Sequence, residues 1–147
     1  MKKIIVILSV IFCLSTPSYA HASEAEGLWL TENKRSVIHI QECGNSICGK
    51  IHWIIDGGMQ TDAKNPDTDK KKRPMCGLDI LWDFKSSGKH WSSGKIYKAD
   101  DGDIYSATIT IKDANTLSLR GYLGIPLFGK TQTWTRVSED THTQCTP

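Results

Sequence analysis

The sequence lacks the short motifs that mark the common catalytic folds. It contains no G-x-S-x-G elbow, no H-E-x-x-H zinc motif, no phosphate-binding loop and no dinucleotide fingerprint. The acidic residues that could form a hydrolytic carboxylate pair lie at turns and expected strand ends: Asp79, Asp83, Asp100, Asp101 and Asp103. We therefore expect a protein that is not an enzyme and that uses no cofactor.

The expected mature chain also has no net charge. Residues 1–22 follow the order of a secretory signal peptide: Lys2-Lys3, an apolar stretch at 4–14 that is too short to span a bilayer, and small residues up to Ala22. The whole chain has 18 basic and 16 acidic residues, and cleavage after Ala22 removes two lysines, so the signs balance. This balance argues against nucleic acid as a partner and against general attraction to acidic membranes. We expect no membrane span after cleavage.

Helical periodicity is absent, and a period of two dominates from residue 27 onward. We predict eight strands, at 27–31, 36–42, 48–55, 78–84, 92–98, 103–111, 116–123 and 131–137. Turn-forming clusters such as Asp100-Asp101-Gly102 separate them. Short strands joined by hairpins indicate one all-β domain over residues 23–147, an antiparallel up-and-down β-barrel of about eight strands, because a closed barrel has no exposed edge.

The two ends of the expected barrel sequence share a pattern. Gly27-Leu28-Trp29 opens the first strand, and Trp134-Thr135-Arg136 lies in the last. We interpret them as the two edges of one closed sheet, with Arg136 covering the Trp29 ring through packing and a cation–π contact.

Short motifs spread over nearly all of the mature chain are typical of one family. They are GLWL (27–30), CGKI (48–51), NPD (65–67), RPMCGL (73–78), GKIY (94–97), RGYLG (120–124) and FGKTQTWTR (128–136). Through them the chain resembles the domain-of-unknown-function 2147 family of small exported bacterial proteins. The resemblance implies a calycin-like, lipocalin-related barrel in a Gram-negative periplasm or secreted, with no established activity. It also implies that Gly27, Trp29 and Arg136 form the barrel-closing set.

The hairpin around Gly44-Asn45 gives an expected register. A symmetric turn places Cys43 opposite Cys48, and therefore His39 opposite His52. The core face would then hold Ile38, Ile40, Ile51, Trp53 and Ile55, and the outer face Val37, His39, Gln41, Lys50 and His52. Two opposed imidazoles are too few for a tight metal site, so we expect an exposed polar pair and no bound metal.

Four cysteines remain in the mature chain: Cys43, Cys48, Cys76 and Cys145. An even number suits disulfide bonding in an exported protein. The hairpin geometry favours a bond between Cys43 and Cys48, and Cys76 would then bond to Cys145 and tie down the tail. A bond between Cys48 and Cys76, both followed by glycine in the resembling motifs, remains an alternative.

Residues 56–74 break the strand rhythm and form most of a long loop at 56–77. A loop of this length in a compact domain is often functional. Asp62, Asp67 and Asp69 lack the spacing of an EF-hand, so no calcium site is expected. The basic run at 70–73 is interpreted as a solvated face.

The last strands supply a candidate ligand site. If their aromatic residues point inward, Tyr105, Tyr122 and Trp134 would line a lumen with Arg120 as its polar anchor. Such a wall suits a small, partly apolar and anionic ligand. The alternative is a barrel filled by its own side chains, which would bind or inhibit a protein partner through the loop at 56–74. A cavity of roughly 300 Å³ or more would favour the ligand carrier.

Overall fold

The computed structural model describes residues 23–147, and the expected signal peptide lies outside this part of the chain. Eight antiparallel strands, joined in chain order, form a closed barrel. They are β1 (Gly27–Leu30), β2 (Ser36–Cys43), β3 (Ser46–Ile54), β4 (Asp79–Ser87), β5 (His90–Lys98), β6 (Asp103–Asp113), β7 (Thr116–Tyr122) and β8 (Lys130–Val137). The predicted all-β, eight-stranded up-and-down barrel is confirmed. Within residues 23–147, no helix has the length and apolar character needed to cross a membrane.

The core follows the alternation of the strands. Ile109, Leu117 and Leu119 are buried, whereas the residues between them in β6 and β7 are partly exposed. Each such aliphatic side chain contributes about 1.5 to 3 kcal/mol on leaving water. The alternation that predicted the strands is therefore also what closes them around a common interior.

The barrel has two distinct ends. The arginine end carries the turns after β2, β4 and β6 and the chain start at residues 23–26. The mouth end carries the β1–β2 turn, the long β3–β4 loop, the β5–β6 turn and the β7–β8 loop.

Closure takes place between β1 and β8, where Trp29 pairs with Arg136. The Arg136 guanidinium carbon lies 4.2 Å from the Trp29 ring centroid. Its three nitrogens donate to the carbonyls of Ala114 (2.7 Å), Glu26 (2.6 Å) and Glu24 (2.8 Å). A Cβ at Gly27 would lie 2.5 Å from Arg136 Nη1, so only glycine leaves room for the guanidinium.

The β2–β3 register differs from the expected one. The turn contains only Gly44 and Asn45, so Cys43 pairs with Ser46 and His39 pairs with Lys50. The expected pairing of His39 with His52 is therefore wrong. A two-residue turn is favoured because its backbone twist matches that of the strands it joins. The turn therefore sets the register, and the two cysteines do not lie directly opposite each other.

A register shift between Val37 and Ile38 corrects a second expectation. Beyond the shift, Trp53 lies outside the core with its ring edge-on to His142, 4.7 Å between centroids. Ile55, also expected in the core, is exposed, and Val37, expected outside, is fully buried. The irregularity at this shift moves the side chains beyond it to the opposite faces of the sheet, because successive side chains of a strand point to alternate faces.

Both favoured disulfides are present. Cys43 is bonded to Cys48 near the hairpin tip, and Cys76 is bonded to Cys145. The second bond joins the C-terminal tail to the long loop across 69 residues of sequence. Two disulfides are consistent with an exported protein.

Candidate functional site

A cavity of about 500 Å³ opens at the mouth end of the barrel. Its interior surface is mainly aliphatic and aromatic, with Ile51, Ile96, Leu119 and Trp134 among the lining residues. Its volume lies within the range of small-molecule pockets, which are mostly apolar with a few fixed polar groups. The barrel is thus not completely filled by its own side chains.

Three of the four expected ligand residues line this cavity: Tyr105, Tyr122 and Trp134. Trp134 is buried, and its indole Nε1 donates to Gln132 Oε1 at 2.9 Å. The polar atom of the indole is therefore satisfied inside the barrel wall, which leaves the ring as apolar lining.

The fourth expected residue, Arg120, does not line the cavity. Its Nε donates to the Pro126 carbonyl (2.8 Å), Nη2 to the Leu127 carbonyl (3.2 Å) and Nη1 to Thr131 Oγ1 (2.7 Å). Alternation explains the placement, because Leu117 and Leu119 point into the core and Arg120 takes the opposite face. Arg120 therefore holds the β7–β8 loop, and the expected role as ligand anchor is corrected.

Other cations occupy the mouth, namely Arg35, Lys98 and Lys130. Lys98 forms an ion pair with Asp101, and this hydrogen bond raises the pKa of Lys98. Arg35 and Lys130 have no carboxylate partner within 4.0 Å among residues 23–147. Asp100 and Asp101 also line the mouth, so the three cations and two carboxylates give the cavity lining a net charge of +1.

Tyr105 joins the wall to the polar rim. Its hydroxyl donates to Asp101 Oδ2 at 3.1 Å. This hydrogen bond raises the pKa of Tyr105, and burial adds to the effect. The phenol therefore remains protonated at neutral pH and keeps its hydrogen bond to Asp101.

The long β3–β4 loop is fastened to the barrel by a buried carboxylate, Asp62. The Tyr97 hydroxyl donates to its Oδ1 at 2.5 Å, and Asn65 Nδ2 (2.7 Å) and Arg73 Nε (2.9 Å) donate to its Oδ2. Arg73 Nη2 adds an ion-pair contact at 2.8 Å. Residues 70–72 are exposed as expected, but Arg73 differs from the expected solvated face because it pairs with Asp62.

This network shifts two pKa values in opposite directions. Burial alone would raise the pKa of Asp62, but the donors Tyr97, Asn65 and Arg73 outweigh it and hold the pKa below its ordinary value. Burial, together with the hydrogen bond to Asp62, raises the pKa of Tyr97 to about 12. The loop therefore depends on an ionised Asp62.

A backbone contact adds to this fastening. A Cβ at Gly102 in the β5–β6 turn would lie 2.1 Å from the Lys64 carbonyl oxygen. Gly102 also has φ = 79°, which glycine adopts without strain. The loop and the turn are thus packed main chain against main chain at the mouth.

The family model for an uncharacterized protein conserved in bacteria, DUF2147, matches residues 27–136. The chain belongs to this family. The structure is also similar to that of HP1028 from the human pathogen Helicobacter pylori, a protein described as belonging to the lipocalin family. The TM-score is 0.71 at 24% identity, over 79% of this chain and 84% of that chain, so the likeness concerns the fold. A comparison with curated proteins finds no match.

In this DUF2147 protein, one histidine of β2 and one of β3 lie near each other. His39 and His52 lie with ring centroids 6.1 Å apart. His52 is buried rather than exposed, because the tail covers it: its Nε2 contacts Glu139 Oε2 (3.2 Å) and the His142 carbonyl (3.1 Å). Burial, then the nearby His52, lowers the pKa of His39. Within the described residues no three His, Cys, Asp or Glu side chains are grouped to hold a metal.

The sequence patterns did not indicate the cations at the mouth end or the hydrogen-bond network of Asp62. Lys130, Gln132 and Trp134 are two residues apart on β8 and therefore share one face, so the predicted inward face could have been extended to Lys130. Asp62 and Tyr97 are 35 residues apart, and no periodic pattern connects them. Only the folded barrel of this DUF2147 protein brings them together.

Proposed function

We propose that this protein binds a small, partly apolar, anionic molecule in the mouth-end cavity and does not catalyse a reaction. The observation that carries the proposal is the cavity of about 500 Å³, with a mainly apolar interior and a lining of net charge +1 in which Arg35 and Lys130 form no ion pair with the described residues. The lipocalin-like fold supports small-molecule binding in general. The cavity volume of about 500 Å³ also lies above the roughly 300 Å³ that favours a ligand carrier over a filled barrel.

Arg35 and Lys130 take the anchoring role that the sequence suggested for Arg120. Both line the cavity at the mouth, whereas Ile51, Leu119 and Trp134 supply apolar surface further along its wall. An amphipathic ligand would place its apolar part against this surface and its anionic group near the two cations. A hydrogen bond to a charged group is worth about 1.5 to 3 kcal/mol.

We also propose that the protein acts in the periplasm or after secretion. The signal-peptide pattern of residues 1–22 and the two disulfides support this location. Intact mass of the protein purified from a periplasmic fraction should correspond to a chain that begins at Ser23. A cytoplasmic species that retains Met1 would contradict the proposal.

The alternative function, partner binding through residues 56–74, has less support. A loop that enters the cleft of a partner should project freely, but Asp62, Asn65 and Arg73 fasten this one to Tyr97. The same contacts instead favour a loop that is held in place as part of the wall beside the cavity.

A matched pair of probes tests the ligand proposal. A dansyl-labelled undecanoic acid should bind more tightly than its methyl ester, because only the acid carries an anionic group. The double variant Arg35→Gln/Lys130→Gln should weaken acid binding about tenfold to hundredfold and leave ester binding nearly unchanged. Lys112→Gln, an exposed position on β6 outside the cavity lining, is the control.

Two results would contradict the proposal. One is equal affinity of the wild-type protein for acid and ester; the other is an acid affinity that the double variant does not change. Native mass spectrometry of the protein purified from its own periplasm would show a retained ligand directly.

A further inference from the structure

The β7–β8 loop presents an apolar surface to solvent. We call residues 123–128 the tip. Leu123, Ile125, Leu127 and Phe128 are 65%, 53%, 75% and 78% exposed. Leu123 and Phe128 also line the cavity mouth, so the apolar surface continues from the cavity onto the tip. Contiguous exposed apolar surface of this kind marks interaction sites.

The shape of the tip is held in place rather than left loose. Pro126–Phe128 forms a 3-10 turn, and the Gly129 amide donates to the Pro126 carbonyl at 3.1 Å. Arg120 holds the carbonyls of Pro126 and Leu127 from below. The tip is therefore a preformed projection that keeps its apolar side chains outward.

The charged side chains of the segment that contains the tip are all positive, whereas the neighbouring turns of the mouth end also carry carboxylates. Residues 114–138 contain no aspartate or glutamate, and their charged residues are Arg120, Lys130 and Arg136. Arg136 belongs to the arginine end and Arg120 is occupied at the base of the tip. Lys130, which is exposed, follows the tip directly. On the neighbouring β5–β6 turn, Asp101 is paired with Lys98, which leaves Asp100 and Asp103 as the acidic groups of that turn.

We propose that the tip docks on an anionic phospholipid bilayer, with its apolar side chains in the interfacial layer and the cavity mouth facing the lipid. A narrow convex projection buries its side chains in lipid more completely than against a flat protein surface, and Lys130 would lie at headgroup level. Because the mature chain has no net charge, the apolar side chains drive the docking. Ligand binding in the cavity is not required for it.

Vesicle flotation tests this docking directly. The wild-type protein should float with vesicles of phosphatidylglycerol and phosphatidylethanolamine. The double variant Leu127→Ser/Phe128→Ser should bind at least about tenfold more weakly, because two large apolar side chains are lost from the contact. Ile104→Ser, which removes a 55%-exposed side chain on β6 outside the tip, should stay within about twofold of wild type.

A further variant measures the contribution of the Lys130 charge to vesicle binding. Lys130→Gln should weaken binding to the anionic vesicles and leave binding to pure phosphatidylcholine vesicles unchanged. Circular dichroism should show all variants folded, since the altered side chains are exposed.

Two outcomes would overturn the proposal. The first is a wild-type protein that does not float, or a double variant that floats equally well. The second is a concentration-dependent dimer, seen by sedimentation velocity without vesicle binding and lost in the double variant, which would assign the tip to a second copy of the chain.

Discussion

The two ends of the barrel use arginine in different ways. At the arginine end, Arg136 covers Trp29 and joins the chain start to the last strand through carbonyls of Ala114, Glu26 and Glu24. At the mouth end, the Arg120 guanidinium donates to acceptors of its own hairpin, and the cavity beside it stays open. The difference indicates that barrel closure and the cavity are separated along the barrel axis, so residues of the mouth end can be changed while β1 and β8 stay joined.

The disulfides give the largest expected difference between the ends. Cys43–Cys48 closes a short hairpin at the arginine end, whereas Cys76–Cys145 spans 69 residues and joins the tail to the long loop. Loop-closure entropy predicts a loss of about 4 kcal/mol for Cys76→Ser/Cys145→Ser and about 2 kcal/mol for Cys43→Ser/Cys48→Ser. Urea unfolding of both double variants measures this. Equal losses would show that the bonds do not act through chain entropy.

Substitution of each arginine tests the comparison next. Arg136→Gln should lower the free energy of unfolding by about 3 kcal/mol, through lost hydrogen bonds and the lost contact with Trp29. Arg120→Gln should cost less than about 1 kcal/mol, because the β7–β8 loop can open locally while the barrel stays folded. Thermal and urea unfolding give both values. A larger loss for Arg120→Gln would mean that the structural roles are reversed.

Substitution of Asp62 should have a smaller effect on stability than substitution of Arg136, and one that depends on pH. Asp62→Asn should cost about 2 kcal/mol at pH 7, because the partly exposed Arg73 recovers some hydration after its partner is removed. The pKa of Asp62 is lower in the folded protein, so its contribution is complete above the unfolded-state pKa of about 4 and is lost as the pH falls through the folded-state value.

The wild-type protein and the Asp62→Asn variant should therefore converge in stability in strong acid. Asp56→Asn, at an exposed position on the same loop, serves as the control and should change little at any pH. A difference between wild type and Asp62→Asn that persists undiminished at low pH would contradict the ionised network.

The fold could be predicted because its signals are local. Alternating residues located all eight strands to within three residues at each boundary, and Gly27, Trp29 and Arg136 indicated where the barrel closes. Trp53 was misplaced because a register shift inside a strand leaves no mark in the alternation. The turn at Gly44-Asn45 did carry the correct register, since two turn-forming residues are enough for a hairpin.

The site could be predicted only in part. Tyr105, Tyr122 and Trp134 were expected on the cavity wall, where the structure places them. Arg120 was expected in the cavity because of its charge, but it lies outside the cavity lining. The positions of Leu117 and Leu119 indicate that the inward face of β7 excludes Arg120. The Asp62 network joins residues far apart in sequence, so only tertiary packing reveals it.

The way Arg120 holds the tip also bears on protein engineering. Its bonds to residues 126 and 127 end on carbonyl oxygens, and every amino acid supplies a carbonyl. Side chains at positions 123, 125, 127 and 128 can therefore be randomised while the guanidinium keeps the backbone in shape. The barrel thus offers a disulfide-stapled scaffold with one graftable loop, from which libraries of new binding reagents can be selected.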